Sequence, residues 1–250
     1  MLAHCLGKNR SYLYAWGDQQ LDSTVCAKFE TLIEKHLSDY PIAYLLGSQG
    51  FWSLDLKVTE DVLIPRPETE LLVELALDKI KHLRSPSILD LGTGSGAIAL
   101  ALASERSDAN IIATDYSAKA LAVAKENAQC NGIQNVHFIE SNWFDKIKPQ
   151  VFDIIVSNPP YIPEKDPHLN QSIRYEPRQA LVSGKQGLDD IYSILQNALS
   201  YLKNNAWILL EHGYDQGESV PNIMKQVGLQ EVACIKDYNE NNRLSIAKKG

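Results

Sequence analysis

The residues best equipped for chemistry are Asn158, Pro159, Pro160 and Tyr161. Asn158 carries an amide with two donors and an acceptor, and Pro159 a carbonyl with no N–H of its own. Tyr161 adds a flat ring with a polar tip. Together they suit an uncharged planar –NH2 group. The Asn158 side-chain oxygen and the Pro159 carbonyl each accept one N–H, while Tyr161 packs on the flat face. The nitrogen of an amide or aryl amine is a poor nucleophile, because its lone pair is delocalised into the adjoining π-system. Two acceptors placed for a pyramidal nitrogen favour the transition state over the planar ground state. The same residues also read as an ordinary strand end with a Pro-Pro turn, so the surroundings must decide.

A second constellation is Asp90-Leu91-Gly92-Thr93-Gly94-Ser95-Gly96. Glycines after a strand let the backbone turn sharply and let a ligand approach a helix N-terminus. The run reads as G-x-G-x-G, and with Ala97 it also fits the G-x-G-x-x-G/A dinucleotide fingerprint. The glycines alone therefore do not separate a nicotinamide enzyme from another nucleoside binder. No Gly-Lys-Ser/Thr follows, which excludes a P-loop. Asp115 follows Gly92 at the spacing where a carboxylate accepts both hydroxyls of an adenosine ribose; as a bland alternative it is a turn residue. Asp90 either holds the turn or faces a cationic ligand. The Asn158 loop has no proton-shuttling residue of the kind a dehydrogenase needs, which turns the reading away from hydride transfer.

The elements that position these residues follow from periodicity. Phe152 to Val156 is a short β-branched apolar run stopped by Pro159 and Pro160, as in a buried parallel strand ending in a rigid loop. Ile88 to Leu91, Ile111 to Thr114, Val136 to Ile139 and Trp207 to Leu210 read as further strands. Helical spacing covers Ala97 to Ala103, Ala118 to Gln129 and Leu188 to Leu202. Val232 to Ile235 and Leu244 to Ala247 close the set. Strands alternating with helices predict an α/β fold: a doubly wound, seven-stranded, mostly parallel sheet with helices on both faces.

Upstream, residues 1–40 read as a helical region too short for a core of its own, with Asp22 or Ser23 as a cap and Pro41 as its stop. Residues 41–66 read as a β-hairpin linker, broken by Gly47 and Gly50, and residues 67–250 as the catalytic domain. Leu71 to about Leu83 is predicted as its first helix, and Arg66 either faces a ligand or is solvated, the spacing favouring the solvated cation. With 44% hydrophobic and 22% charged residues the chain can build an ordinary core. A net charge of −7 and the lack of any basic run argue against holding nucleic acid by its phosphates. Cys5, Cys26, Cys130 and Cys234 form no metal-binding or disulfide spacing. No apolar run is long enough to span a membrane and no signal peptide is visible, so a cytoplasmic monomer without a metal is expected.

The order of the glycine turn, Asp115 and Asn158-Pro159-Pro160-Tyr161 resembles the class I S-adenosylmethionine-dependent methyltransferases. Pro41-Ile42-Ala43-Tyr44, Ile64-Pro65-Arg66-Pro67-Glu68-Thr69-Glu70, Asp166-Pro167-His168-Leu169 and Leu210-Glu211-His212-Gly213 make it similar to their PrmC/HemK branch. That resemblance implies a Rossmann-like domain and methylation of the glutamine amide nitrogen in the Gly-Gly-Gln motif of class 1 peptide chain release factors. It implies S-adenosylmethionine as cofactor, bound by Gly92, Thr93, Gly94, Ser95, Gly96 and Asp115, with Trp143 beside the adenine and Asn158 near the methionine end. Asn158, Pro159, Pro160 and Tyr161 would hold the glutamine, and Asn158, Pro159 and Tyr161 would serve catalysis. Against that family the helical N-terminal region reads as truncated, which bears on release-factor docking. Asn142 stands where the family often has Asp, which weakens the expected adenine contacts. Arg66, Arg174 and Glu176 sit in family-like motifs without an assigned role. An N6-adenine DNA or RNA methyltransferase and a ribosomal protein glutamine methyltransferase are the alternatives within the same chemistry.

Overall fold

A computed structural model describes residues 1–250. The first forty residues form three helices, α1 (Leu2–Leu6), α2 (Arg10–Ala15) and α3 (Ser23–Leu37), none of which buries a residue. Asp22 caps α3 by accepting the Thr24 N–H at 2.8 Å. Pro41 does not stop the helical region as expected. It is the N-cap of a further short helix, α4 (Ile42–Leu46), which ends at Gly47 with φ 72°. The first N–H groups of a helix have no intrahelical partner, so a proline at its start costs no hydrogen bond. The expected linker therefore holds a helix as well as its hairpin, β1 (Ser48–Phe51) and β2 (Leu54–Lys57).

The hairpin leads through a 3-10 turn at Pro67–Thr69 into α5 (Glu70–Ile80), which ends earlier than the predicted Leu83. Alternation then follows: β3 (Ser87–Leu91), α6 (Ala97–Glu105), β4 (Asn110–Asp115), α7 (Ala118–Cys130), β5 (Val136–Glu140) and β6 (Phe152–Ser157). After three short 3-10 turns between residues 167 and 180 come α8 (Asp189–Tyr201), β7 (Leu202–Glu211), α9 (Ser219–Gln226), β8 (Gln230–Lys236) and β9 (Asn242–Lys248). Helix α9 is absent from the sequence expectation because Pro221 lies within it. That proline sits in the first turn, where its missing N–H is no loss.

One sheet carries the order β5-β4-β3-β6-β7-β9-β8, with only β9 running against the others. Its strands read as continuous apolar runs because both faces are covered. Ile88, Ile154, Val156 and Leu209 point to the face packed by α5 and α6. Their neighbours Leu89, Leu91, Ile155, Ile208 and Leu210 join the opposite face, with Ile191, Ile194 and Leu195 of α8 and Val220 and Met224 of α9. A smaller cluster of Ala43, Val58, Val62 and Ile64 packs on Ala120 and Val123 of α7, seating the linker on the domain. Asn127 of α7 fixes that seat. Its amide receives the Lys57 N–H at 2.7 Å and donates to the carbonyls of Lys57 at 3.0 Å and Ser95 at 2.9 Å, joining hairpin to glycine turn. No helix is long and apolar enough to cross a membrane.

The strand order reverses between β3 and β6, and the crevice outside the carboxyl ends at such a point is where an open α/β sheet binds ligands. The glycine turn follows β3 and the Asn158 loop follows β6.

Candidate active site

Strands β3, β4 and β6 end level: Leu91 pairs with Thr114 on one side and Ser157 on the other. The Ser157 hydroxyl donates to the Leu91 carbonyl at 2.6 Å, which clamps the two strand ends together. Gly92, Gly94, Asp115, Trp143, Asn158 and Pro160 thereby line one cleft of about 270 Å³.

The glycines are required by their backbone. Gly92, Gly94 and Gly96 all take φ between 56° and 87°, a region that residues with a Cβ rarely enter. A Cβ on Gly96 would lie 3.0 Å from Leu100 Cδ1 and 3.2 Å from Ala124 Cβ. Thr93, Ser95 and Gly96 are buried beneath the turn and shape it from below, whereas Gly92 and Gly94 face the cleft. The Asp115 carboxylate holds the turn and faces the cleft. One oxygen accepts the Gly94 N–H and the other the Ser117 N–H, each at 2.8 Å, and each oxygen keeps a lone pair for a diol. Burial raises its pKa against those stabilising N–H groups. Asp90, fully buried, accepts the Thr93 hydroxyl at 2.6 Å on one oxygen, and its Oδ1 has no partner. Burial pushes this carboxyl up to about 7. Trp143, with φ 47°, lies with its ring against Gly92, and Asn142 beside it donates to Asp145 at 3.3 Å.

Positive-φ glycines, a carboxylate with spare lone pairs, an aromatic wall and a leftover buried acceptor at the foot of the turn form a set that fits a nucleoside carrying a cationic tail.

A second pocket of about 180 Å³ adjoins the first, and Asn158 lines both. Arg66, Tyr161, Ile173 and Leu181 are among its walls. Asn158 Nδ2 donates to the Thr69 hydroxyl at 3.2 Å, and Thr69 donates in turn to Glu211 Oε2 at 2.7 Å. With its N–H so engaged, the amide presents Oδ1. Neither that oxygen nor the Pro159 carbonyl receives a hydrogen bond from within the protein. Pro159 itself is buried. Tyr161 is half-buried with its hydroxyl 3.4 Å from Glu211 Oε1. Burial and the neighbouring Glu211 push its phenol well up, so it stays protonated. The loop backbone is anchored by Gln216, whose amide donates to the carbonyls of Tyr161 and Gly187 at 3.1 Å each.

Arg66 is not the solvated cation that the sequence suggested. Its guanidinium pairs with Glu176, which is buried and also accepts the Ile64 N–H at 3.0 Å. Glu176 thus ties the segment from Asp61 to Arg66 to the loop of Pro177 and Gln179, and both segments wall the cleft. Arg174 donates to the Ser38 carbonyl at 3.0 Å, as does Tyr175 at 2.9 Å, linking this loop to the end of α3. Sequence reasoning missed the walls made by Val62, Leu63, Pro177 and Gln179, and also Thr69 and Glu211. For Glu211 a signal existed: like Asp115, it is a carboxylate ending a buried apolar strand. For Thr69 there was none.

Comparison with known proteins places this architecture. A model described as "Methyltransferase domain" matches residues 84–246, and one described as "PrmC N-terminal domain" matches residues 1–47. The chain is 44% identical over 249 residues to the release factor glutamine methyltransferase of Escherichia coli (strain K12), covering 99% of this chain and 90% of that one. It is 45% identical to the protein of the same name from Coxiella burnetii, over 100% of this chain and 90% of the relative. Among solved structures it is similar to a methyltransferase from Pyrococcus furiosus. There the TM-score is 0.59 at 19% identity, over 87% of this chain and 98% of that one. It is also similar to an SAM-dependent methyltransferase from Agrobacterium tumefaciens, with TM-score 0.58 at 16% identity over 81% of this chain and 70% of the other. At such identities the two structures speak for the fold.

Proposed function

The chain belongs to the release factor glutamine methyltransferase family, and on that premise we propose that it methylates the side-chain amide nitrogen of the glutamine in the Gly-Gly-Gln loop of class 1 release factors. One observation carries the site assignment: Asn158 stands at the junction of the two pockets, with its amide oxygen and the Pro159 carbonyl both free of internal donors.

The first pocket is the place for S-adenosylmethionine. Gly92 and Gly94 admit it to the N-terminus of α6, Asp115 accepts the ribose hydroxyls, Trp143 flanks the adenine, and Asp90 holds the turn from below through Thr93. When bound, S-adenosylmethionine supplies an electrophilic methyl group. The second pocket receives the glutamine. Asn158 Oδ1 and the Pro159 carbonyl each accept one amide N–H, and Tyr161 and Pro160 bound the flat face. An acceptor pair of this kind stabilises the nitrogen as it turns from planar to pyramidal, so the residues lower the barrier by electrostatics and positioning. As the new C–N bond forms, the methyl carbon's bond to sulfur would break to leave a neutral thioether, and the one surplus N–H proton leaves to water.

The −7 net charge and the lack of any basic run support a protein glutamine over a nucleic-acid base. The test offers labelled cofactor with a release factor, its Gln→Ala variant in the Gly-Gly-Gln loop, or adenine-containing nucleic acid. Label is expected only in the intact release factor. Label in the Gln→Ala variant, or only in nucleic acid, refutes the assignment.

A further inference from the structure

The reaction needs an acceptor at the Asn158 end that faces the substrate, yet an amide can turn over and present its NH2 instead. We infer that Thr69 and Glu211 are positioning residues that set which way round Asn158 sits, with ionised Glu211 fixing the direction of hydrogen bonding along the chain from Glu211 through Thr69 to Asn158. This rests on the methyl-acceptor reading of the second pocket.

The polarity follows from the partners. An ionised carboxylate only accepts, so the Thr69 proton must point to Glu211, at 2.7 Å. The Thr69 oxygen is then left as an acceptor toward Asn158, at 3.2 Å, and only the NH2 of that amide can satisfy it. Oδ1 is thereby turned to the pockets. Protonation of Glu211 reverses the order. A carboxylic acid can donate to Thr69, Thr69 can donate to Asn158 Oδ1, and the amide presents NH2 where an acceptor is needed. Thr69 and Glu211 are both buried, so water does not scramble the chain.

Four groups bear on Glu211. Thr69 and Glu68 come from the 3-10 turn, Tyr161 from the loop after β6, and Arg243 from β9. Arg243 does not hold Glu211 ionised on its own, because its Nε pairs with Asp237 at 3.3 Å. Burial prevails, and the Glu211 carboxyl is pushed up to about 7. The orientation of Asn158 therefore becomes sensitive to pH in the neutral range. Maximum turnover lies above pH 7 and falls as pH drops through it.

The experiment measures kcat against pH, and S-adenosylmethionine affinity, for the wild type, Thr69→Val, Thr69→Ser and Glu211→Gln. Infrared spectra of the cofactor-free protein follow the carboxylic acid band of Glu211. Loss of the hydroxyl in Thr69→Val is expected to lower kcat roughly tenfold or more, the equivalent of one hydrogen bond. Thr69→Ser restores it, and cofactor affinity is unchanged in both. Glu211→Gln removes the acidic limb of the kcat profile. Protonated-carboxyl absorption that falls between about pH 6 and about pH 8, and that at about pH 6 is weaker in Glu211→Gln than in the wild type by the share of one carboxyl, with Asp90 accounting for the remainder, completes the expectation. Equal kcat in Thr69→Val and Thr69→Ser, or an acidic limb that survives in Glu211→Gln, overturns the inference. If the wild type fails to methylate any release factor, the substrate assignment fails instead, and the infrared titration still reports on Glu211.

Discussion

Replacing Glu176 by alanine should loosen the cofactor cleft from a distance, because this side chain reaches neither the glycine turn nor Asp115. The change removes the acceptor of the buried Ile64 N–H and the partner of Arg66. A buried N–H left without a partner costs about 1–3 kcal/mol. Breaking a fully buried ion pair costs about 3–5 kcal/mol, but the Arg66 side chain is 33% exposed and its freed guanidinium can turn to water. The lower end applies, about 2–3 kcal/mol in all. For a chain of this size that corresponds to a fall in Tm of roughly 5–10 °C. If the loss acts locally instead, by letting the segments of Leu63 and Pro177 part, about 2 kcal/mol raises the Kd for S-adenosylmethionine up to roughly 30-fold. Glu176→Gln keeps an acceptor for Ile64 and should show about half the effect. Thermal unfolding and calorimetric titration of the cofactor read the two routes separately. A Glu176→Ala protein within about 1 °C in Tm and about twofold in Kd would refute the reasoning that this carboxylate holds the two walls together.

Asn158→Ala should cut kcat by about 10²–10³ with little change in cofactor affinity, checked by single-turnover methylation alongside titration; comparable turnover would remove the acceptor-pair mechanism. Gly96→Ala forces a Cβ into φ 87° and against Leu100 and Ala124, and should destabilise the protein by about 1–3 kcal/mol in urea unfolding. Stability should also depend on pH through the two buried carboxyls pushed up to about 7, Asp90 and Glu211. Each keeps its proton in the folded chain where the unfolded chain has released it. The stability this contributes is full below the unfolded value near about 4 and is lost as pH rises through about 7, at no more than about 1.4 kcal/mol per pH unit for each group. Unfolding free energies at about pH 5.5 and about pH 7.5 should fall less steeply in Glu211→Gln than in the wild type, and identical slopes would contradict the assignment.

Most of the sheet was legible in the sequence because a strand buried on both faces writes itself as an unbroken apolar run: Ile88 to Leu91, Ile111 to Thr114 and Phe152 to Val156 needed no further information. The glycine turn was legible for a different reason, since only a backbone demand for positive φ explains glycine at 92, 94 and 96 together. What stayed hidden depends on contacts distant in sequence. Pro41 and Pro221 read as interruptions, and whether a proline breaks a helix or begins one is decided by its position in the turn. Arg66 read as solvated because its partner Glu176 lies 110 residues away. Thr69 carries no local mark, and its part emerges only when the 3-10 turn is laid between Asn158 and Glu211. The cleft wall of Val62, Leu63, Pro177 and Gln179 belongs to the same class, built from loops whose composition is unremarkable.

The level ends of β3 and β6 have a consequence for how this chemistry can vary. The span from the glycine turn to Asn158 is fixed by the ladder pairing Leu91 with Ser157, not by any flexible side chain. A slip of that ladder by one residue would shift Asn158 along the strand by about 3.3 Å and send every alternate side chain to the wrong face. Under the proposed assignment the distance between methyl donor and acceptor is measured on a ruler with coarse graduations, on which neighbouring marks are uninhabitable. Change in such a protein is channelled into what lies beyond the ruler's end: the loops that select which nitrogen is brought to it.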